Sequence, residues 1–392
     1  MSKQLHIGIL TGRIPYPNGM AATQRIHLMA RAMADAGAAV NVWVDGLDGW
    51  NESRNPDAIG LKDGIGYEYL LGKTQASEHK MRRVLDRLAI AGETRRRVTA
   101  AVRSESLDGL YFYTSIIKPD FERIVVQKTA ATKKIPVVLD LCEAPWSMNS
   151  KQSPLEKCLS PLWCVDGAIC ISSFLENWLQ QENMRTGRNV RSLYVPILTD
   201  TKEIVPSLSS PVGRRVLFAA STAYKKELRF LLEVMDVVWW KYPDCQLVLT
   251  GGSNEATLGL AKGVKGEVRF TGFMERGLLL HEYTEASVLV IPLFDDVQSN
   301  ARFSTKLGEY LASGRPVVTN SVGEIPNYLH DGFSACITPP GDVRAFAEAI
   351  CALLNSHEKA KMIGMHGRTV AEKQFDYSNY GTKLCEFFCL LS

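Results

Sequence analysis

The chain has 392 residues, 46% hydrophobic and 22% charged, a balance that excludes a largely disordered polypeptide. Its length calls for about two domains, at ~100–200 residues each. With 45 Lys and Arg against 42 Asp and Glu the net charge is only +3, so no global basic field points to nucleic acid as a partner.

Apolar runs alternate with helical patterns along the chain. In order, the first series of predicted strands covers residues 5–10, 40–44, 67–71, 109–113, 137–141, 168–171 and 193–196. Between the first two, residues 23–36 set Ile26, Met29, Ala30 and Met33 on one helical face, and Gly37 stands where a helix ends on glycine. Residues 200–213 concentrate Pro, Ser and Gly, the chemistry of a linker. A second series of strands follows at 216–220, 246–250, 268–271, 288–292, 316–319 and 335–337. Such alternation predicts parallel sheets covered by helices on both faces, with about six strands in each half. The fold class is therefore α/β, with two Rossmann-like doubly wound domains facing a cleft. The expected organisation is a first Rossmann-like domain over 1–203, a second over 204–376, and a terminal helix over 377–392 that packs back on the first.

Nine cysteines are scattered without a C-x-x-C pair, mostly in apolar contexts. Buried reduced thiols in a cytoplasmic protein are expected rather than a disulfide framework. The apolar run at 5–10 is too short for a secretory signal, and nothing approaches the ~18 apolar residues of a membrane span. Any contact with a membrane is expected from its surface.

Ligands of parallel sheets bind at the carboxyl ends of the strands, so the loops there carry the functional reading. In the first loop Asn18-Gly19 makes a tight turn, and small residues at 21 and 22 open a helix whose N–H groups suit an anion. Arg25 reads equally as a phosphate ligand or a solvated charge. Asp140 and Glu143 close an apolar strand, either as carboxylates that take a hydroxyl proton or as a cap or salt bridge. Ser221, Thr222, Lys225 and Lys226 lie between a buried strand and a helix, an arrangement suited to a diphosphate.

The stretch 294–318 is the most informative. Ser304 reads as the N-cap of a helix ending at Gly314. Glu309 lies five residues past that cap, where a capping box needs an acid at three, so capping does not account for it. It could accept two hydrogen bonds from a ribose diol, with Ser304-Thr305 holding phosphate, or pair with a basic neighbour. Residues 79–103 are locally basic, with Arg82, Arg83, Arg95, Arg96 and Arg97 among Val84, Leu85, Leu88 and Ile90. They read as a solvated face or as a surface for anionic lipid. The aromatic interleaving of a nucleic-acid groove is missing. No metal-ligand spacing of histidines, no G-x-S-x-G elbow, no P-loop and no G-x-G-x-x-G are present.

Taken in order, these segments resemble the GT-B glycosyltransferases, in particular the retaining glycosyltransferase family 4. Residues 17–25 resemble that family's glycine-containing first loop, and 36–42 a strand that follows its first helix. Residues 165–173 and 194–200 are similar to later segments of its first domain. The most specific likeness is 304–318, followed by Gly323-Glu324 and by Pro340-Gly341-Asp342, and Phe375-Asp376-Tyr377 resembles the segment before its terminal helix. The resemblance implies that Lys226, with Lys225, meets the donor diphosphate, and that Glu309 holds the ribose. It implies backbone donors at Phe303, Ser304 and Thr305, base recognition near Gly272-Phe273, and further donor contacts from Gly19, Ser221, Thr222 and Asn300. Asp140, Glu143 and Lys226 are the catalytic candidates, and Arg25, Tyr111 and Tyr113 lie on the acceptor side. The chain departs from the pattern in three places. Ala301 replaces the first glutamate of the Glu-x7-Glu motif, Ala220 or Ser221 an arginine, and Tyr111 or Tyr113 a histidine.

What the resemblance implies is transfer of a sugar from a nucleotide-sugar, bound by the domain over 204–376, to a saccharide or lipid-linked acceptor, bound by the domain over 1–203. Retention, no metal or other cofactor, no nucleic acid, and a role in bacterial cell-surface polysaccharide or glycoconjugate synthesis are expected. The protein would be cytoplasmic, touching an anionic membrane peripherally. A nucleotide-sugar 2-epimerase of the same fold and a non-catalytic nucleotide-sugar-binding paralogue are the alternatives.

Overall fold

A computed structural model describes residues 4–49, 54–104, 106–113, 121–143, 165–206, 211, 213–219, 222, 224–252 and 254–392, without the side chains of 121–125 and 127. The chain divides into two units. One comprises Met1–Leu198, Ala301–Phe303 and Tyr377–Ser392, the other Thr199–Asn300 and Ser304–Asp376.

The first unit is built on β1 (His6–Leu10), α1 (Ala21–Asp35), β2 (Ala39–Val44), β3 (Ile59–Lys62), β4 (Ile65–Tyr69), α2 (Lys80–Arg103), β5 (Gly109–Tyr113), α3 (Phe121–Thr132), β6 (Val137–Leu141), β7 (Gly167–Cys170), α4 (Ser173–Thr186) and β8 (Arg191–Tyr194). Its sheet runs β3-β4-β2-β1-β5-β6-β7-β8. Every pairing is parallel except β3 with β4. Strands β5 and β6 are buried nearly throughout, as a sheet covered on both faces requires. Strand β3 is an addition to the expected set. Its hairpin turns on Asp63-Gly64, both at positive φ (48° and 79°), the geometry that Asp-Gly favours. Ile59 and Leu61 of β3 stay exposed, so no buried apolar run announces the strand.

The second unit comprises β9 (Arg215–Ala219), α5 (Lys225–Lys241), β10 (Gln246–Thr250), α6 (Glu255–Leu260), β11 (Glu267–Gly272), α7 (Arg276–Glu285), β12 (Val288–Ile291), α8 (Val297–Ala301), α9 (Thr305–Ala312), β13 (Val317–Asn320), α10 (Ile325–Tyr328), β14 (Cys336–Thr338), α11 (Val343–Asn355) and α12 (His357–Val370). Its sheet is parallel, in the order β11-β10-β9-β12-β13-β14. Between β9 and β12 the strand order reverses, the switch point at which open α/β sheets take ligands.

The change of unit falls at Leu198 and Thr199, five residues before the expected seam at 203. Thr199 N–H donates to Phe375 O at 2.8 Å, and Arg368 Nη1 donates to Ile204 O at 2.9 Å. Both bonds lie within the second unit. Of the proposed linker, residues 207–210 and 212 lie outside the described residues. The terminal α13 (Gly381–Leu391) packs in the first unit. A Cβ on Gly381 would lie 2.1 Å from Ala32 O of α1, so glycine permits that close approach. Among the described residues Cys142, Cys170, Cys245, Cys336, Cys351, Cys385 and Cys389 are free thiols. No described helix is long and apolar enough to cross a membrane.

Candidate functional site

At the switch point of the second unit, β9 ends in a buried run (Val216 to Ala219) and delivers the chain to the start of α5. The N-cap residue of that helix, Tyr224, makes no side-chain cap hydrogen bond, and helix starts of this kind offer N–H donors to an anion. Lys225 and Lys226 open it, both exposed. Lys226 Nζ lies 3.2 Å from Asp296 Oδ2 and 3.7 Å from the ring centroid of Phe294, on the loop after β12. Although burial opposes it, the Ser299 N–H and Lys226 hold the Asp296 carboxyl below its ordinary range. A third cation, Lys306 in the first turn of α9, lies 4.3 Å from the centroid of Tyr224. Lys306 carries no distinguishing signal in the sequence, where a lysine inside a helix reads as a solvated charge. Thr222 belongs to this loop and is half-buried; Ser221 and Ala220 lie outside the described residues.

Ser304 is the N-cap residue of α9, as expected, but its side chain makes no cap hydrogen bond. Thr305 starts the helix, and Gly314 beyond its end is at φ 72°. Tyr310 ties α9 to the sheet, its hydroxyl accepting the Ala219 N–H at 2.7 Å. Glu309, one residue earlier, has a basic neighbour: Arg276 Nη1 donates to Glu309 Oε1 at 2.8 Å. The same guanidinium donates from Nε and Nη2 to Glu203, each at 2.7 Å. Burial pulls the Arg276 pKa down, but Glu309 and Glu203 more than offset it and leave it raised. Arg276 stands 33 positions from Glu309, and no local spacing reveals the pair.

The loops after β10 and β11 lie together. Gly251 N–H donates to Gly272 O at 2.9 Å. A Cβ on Gly252 would come within 2.9 Å of the Phe273 ring, which is itself 61% exposed. Asn300 is committed to structure rather than open to a donor. Its Oδ1 accepts the Gly323 N–H at 3.1 Å and its Nδ2 donates to Asp295 Oδ1 at 3.0 Å. Ala301 is fully buried and Phe303 nearly so.

In the first unit the reading of Arg25 and Asp140 as ligand-facing groups is corrected. They are each other's partners, with Arg25 Nε to Asp140 Oδ2 at 2.8 Å and Nη2 to Oδ1 at 2.9 Å, and both are buried. Arg25 Nη1 also donates to Pro196 O at 2.7 Å. Tyr111, fully buried, donates its hydroxyl to the same carboxylate. Burial first, and then Asp140, push the Tyr111 phenol well up. Tyr113 is half-buried and is likewise raised by burial. Glu143 is more open, at 41% side-chain exposure, with Arg302 Nη2 at 3.1 Å. Gly19 lies against the start of α1, where a Cβ would meet Thr23 Oγ1 at 2.0 Å. Of the basic residues on α2, Arg96 and Arg97 are engaged with Glu93, and Arg97 also with Glu68. Hydrogen bonds from Arg96 and Arg97 bring Glu93 down to about 2. Among the described residues no three His, Cys, Asp or Glu side chains group as a metal site.

Residues 213–356 match the family described as Glycosyl transferases group 1. A phosphatidyl-myo-inositol mannosyltransferase of Mycobacterium leprae is 27% identical over 196 residues, which are 49% of this chain and 50% of that protein. The match therefore spans about half the length of that curated relative. Among solved structures, sucrose-phosphate synthase from Thermosynechococcus elongatus superimposes with a TM-score of 0.72 at 16% identity, over 99% of both chains. Anabaena HepE in complex with UDP and glucose does so with a TM-score of 0.66 at 16% identity, over 98% of this chain and 99% of that one. At these identities the structural likeness speaks for the fold, which is GT-B.

Proposed function

We propose, from the premise that the second unit carries a glycosyl transferases group 1 domain in a chain of GT-B fold, that this protein moves a sugar from a nucleotide-sugar donor to a hydroxyl acceptor. One observation carries the reading: Lys225, Lys226 and Lys306 gather at the switch point of the second sheet, beside two helix starts and within the same unit as Glu309. Cations and helix N-termini stabilise the charge that develops on a departing nucleoside diphosphate. The Gly251–Gly252 and Gly272–Phe273 loops supply the surface for a base.

The reading includes retention and needs no metal. The bond from the sugar C1 to the phosphate oxygen breaks as the acceptor oxygen bonds to C1 on the same face. The acceptor proton passes to the departing phosphate. That route asks for no enzyme base, which accords with Asp140 being fully engaged by Arg25 and Tyr111. For the acceptor we favour a saccharide on an anionic lipid carrier, in cell-surface glycoconjugate synthesis. Its support is α2, whose outer face exposes Met81, Val84, Leu85 and Leu88 beside Lys80, Arg82 and Arg95, a composition that suits an anionic membrane surface.

Incubation with UDP-, GDP-, ADP- and dTDP-sugars tests the reading. Hydrolysis or transfer of one sugar supports a transferase. A changed sugar still on its nucleotide would indicate an epimerase, and thermal stabilisation without turnover a binding-only protein.

A further inference from the structure

Within the first unit a cavity of about 250 Å³ opens between α2 and the loops that follow β1 and β2. Arg13, Arg83 and Arg87 line it together with Asp45 and Asp86, and Leu47 and Ile90 add an apolar part of the wall. Both acids have other work. Asp86 accepts from Lys73 Nζ at 2.7 Å and from the Ser77 hydroxyl at 2.8 Å. Asp45 accepts from the Thr11 hydroxyl at 3.1 Å and from the Arg13 N–H at 2.8 Å. Among the described residues neither Arg83 nor Arg87 has an ion-pair partner.

The loop after β1 is held in an unusual shape at this point. Arg13 is at φ 69°, a left-handed conformation that a non-glycine residue adopts at a cost. Two features accompany it: the Asp45 carboxylate accepts the Arg13 N–H at 2.8 Å, and Gly46, where a Cβ would stand 2.4 Å from the Arg13 carbonyl, permits the close approach. Strain kept in place by its surroundings is concentrated at ligand sites. The cavity also lies at the carboxyl ends of β1 and β2, where parallel sheets take ligands.

We infer that this cavity holds the phosphate group of an anionic acceptor, with Arg83 and Arg87 as its ligands and Arg13 in its wall. The inference rests on the transferase reading for the word acceptor, and on the first unit alone for the site. Guanidinium groups meet phosphate oxygens with paired N–H donors, which makes arginine the residue for such a group. The phosphate could belong to a soluble sugar or polyol phosphate or to a lipid headgroup.

Titration of the full chain with glycerol 3-phosphate, followed by calorimetry, tests the first source. Saturable binding that falls about tenfold or more in Arg83→Gln/Arg87→Gln supports the site, the size expected of a lost charged hydrogen bond. A control with equal charge loss away from α2, Lys128→Gln/Lys133→Gln, both exposed at the end of α3, should leave that affinity unchanged. The second source is tested with vesicles: a preference for phosphatidic acid over phosphatidylglycerol that vanishes only in the Arg83/Arg87 variant assigns the site to a lipid headgroup. Equal losses in both variants, or no binding of either phosphate, overturn the inference. Nucleoside diphosphate affinity, measured on the same samples, reports the second unit separately, so a failure here leaves the donor reading standing.

Discussion

Arg276 holds Glu309 with one N–H at 2.8 Å while it grips Glu203 with the rest of its guanidinium. Glu309 is thus neither a cap nor a solvated helix charge: its carboxylate is fixed before any ligand arrives, with one oxygen taken by Arg276. An acid held this way loses little freedom on accepting a hydroxyl, which is the advantage of preorganisation for the ribose role proposed for it.

Glu309→Ala should therefore weaken binding of a nucleoside diphosphate by roughly 1.5–3 kcal/mol for each charged hydrogen bond lost. The helix should persist, because alanine is favourable within it. Titration with the nucleoside diphosphate checks this, and an unchanged affinity would show that the ribose lies elsewhere.

Replacing Lys225 and Lys226 together with alanine should reduce affinity for a nucleoside diphosphate more than for the bare nucleoside. Only the former presents phosphate to the start of α5. Parallel titrations of the two ligands give the comparison, and equal losses would remove the phosphate role. Lys226 is already paired with Asp296 in this structure, so the gain on binding phosphate is a difference between two partners.

Asp140 illustrates what was legible in the sequence and what was not. Its place on a buried strand was readable from the apolar run around it, as were the ends of β5, β6 and β10. Its partner was not, because Arg25 is 115 positions away and their meeting depends on how α1 lies against the sheet. Arg276 escaped for the same reason. Strand β3 carried a signal, the Asp63-Gly64 turn, that an argument from buried apolar runs passed over.

Because Arg25 and Asp140 are both buried, removing one leaves a charge without compensation. Arg25→Met alone should cost about 3–5 kcal/mol of stability. The double variant Arg25→Met/Asp140→Leu should cost less than either single change. Urea unfolding of the three variants measures it; a double variant as weak as the sum of the singles would mean the pair is not the coupling unit.

Attachment to anionic vesicles through α2 should fall steeply with salt, since the Debye length shrinks from ~10 Å at 0.1 M to ~3 Å at 1 M ionic strength. Met81, Val84, Leu85 and Leu88 are between 55% and 82% exposed. Changing Leu85 and Leu88 to Ser should weaken attachment at every salt concentration, whereas Arg82→Gln/Arg95→Gln should weaken it chiefly at low salt. Co-sedimentation at two salt concentrations distinguishes them, and no attachment of the unmodified protein at low salt would leave α2 as a solvated face.

The central claim is that a glycosyl group leaves its nucleoside diphosphate in this protein. A phosphorus NMR time course over the UDP-, GDP-, ADP- and dTDP-sugars follows that bond directly. The account predicts that the sugar-linked pyrophosphate resonances of one donor give way to those of its free nucleoside diphosphate, and more slowly with Glu309→Ala at subsaturating donor. Resonances that stay those of the intact nucleotide-sugar, for a donor the protein demonstrably binds and with an acceptor mixture present, would contradict it.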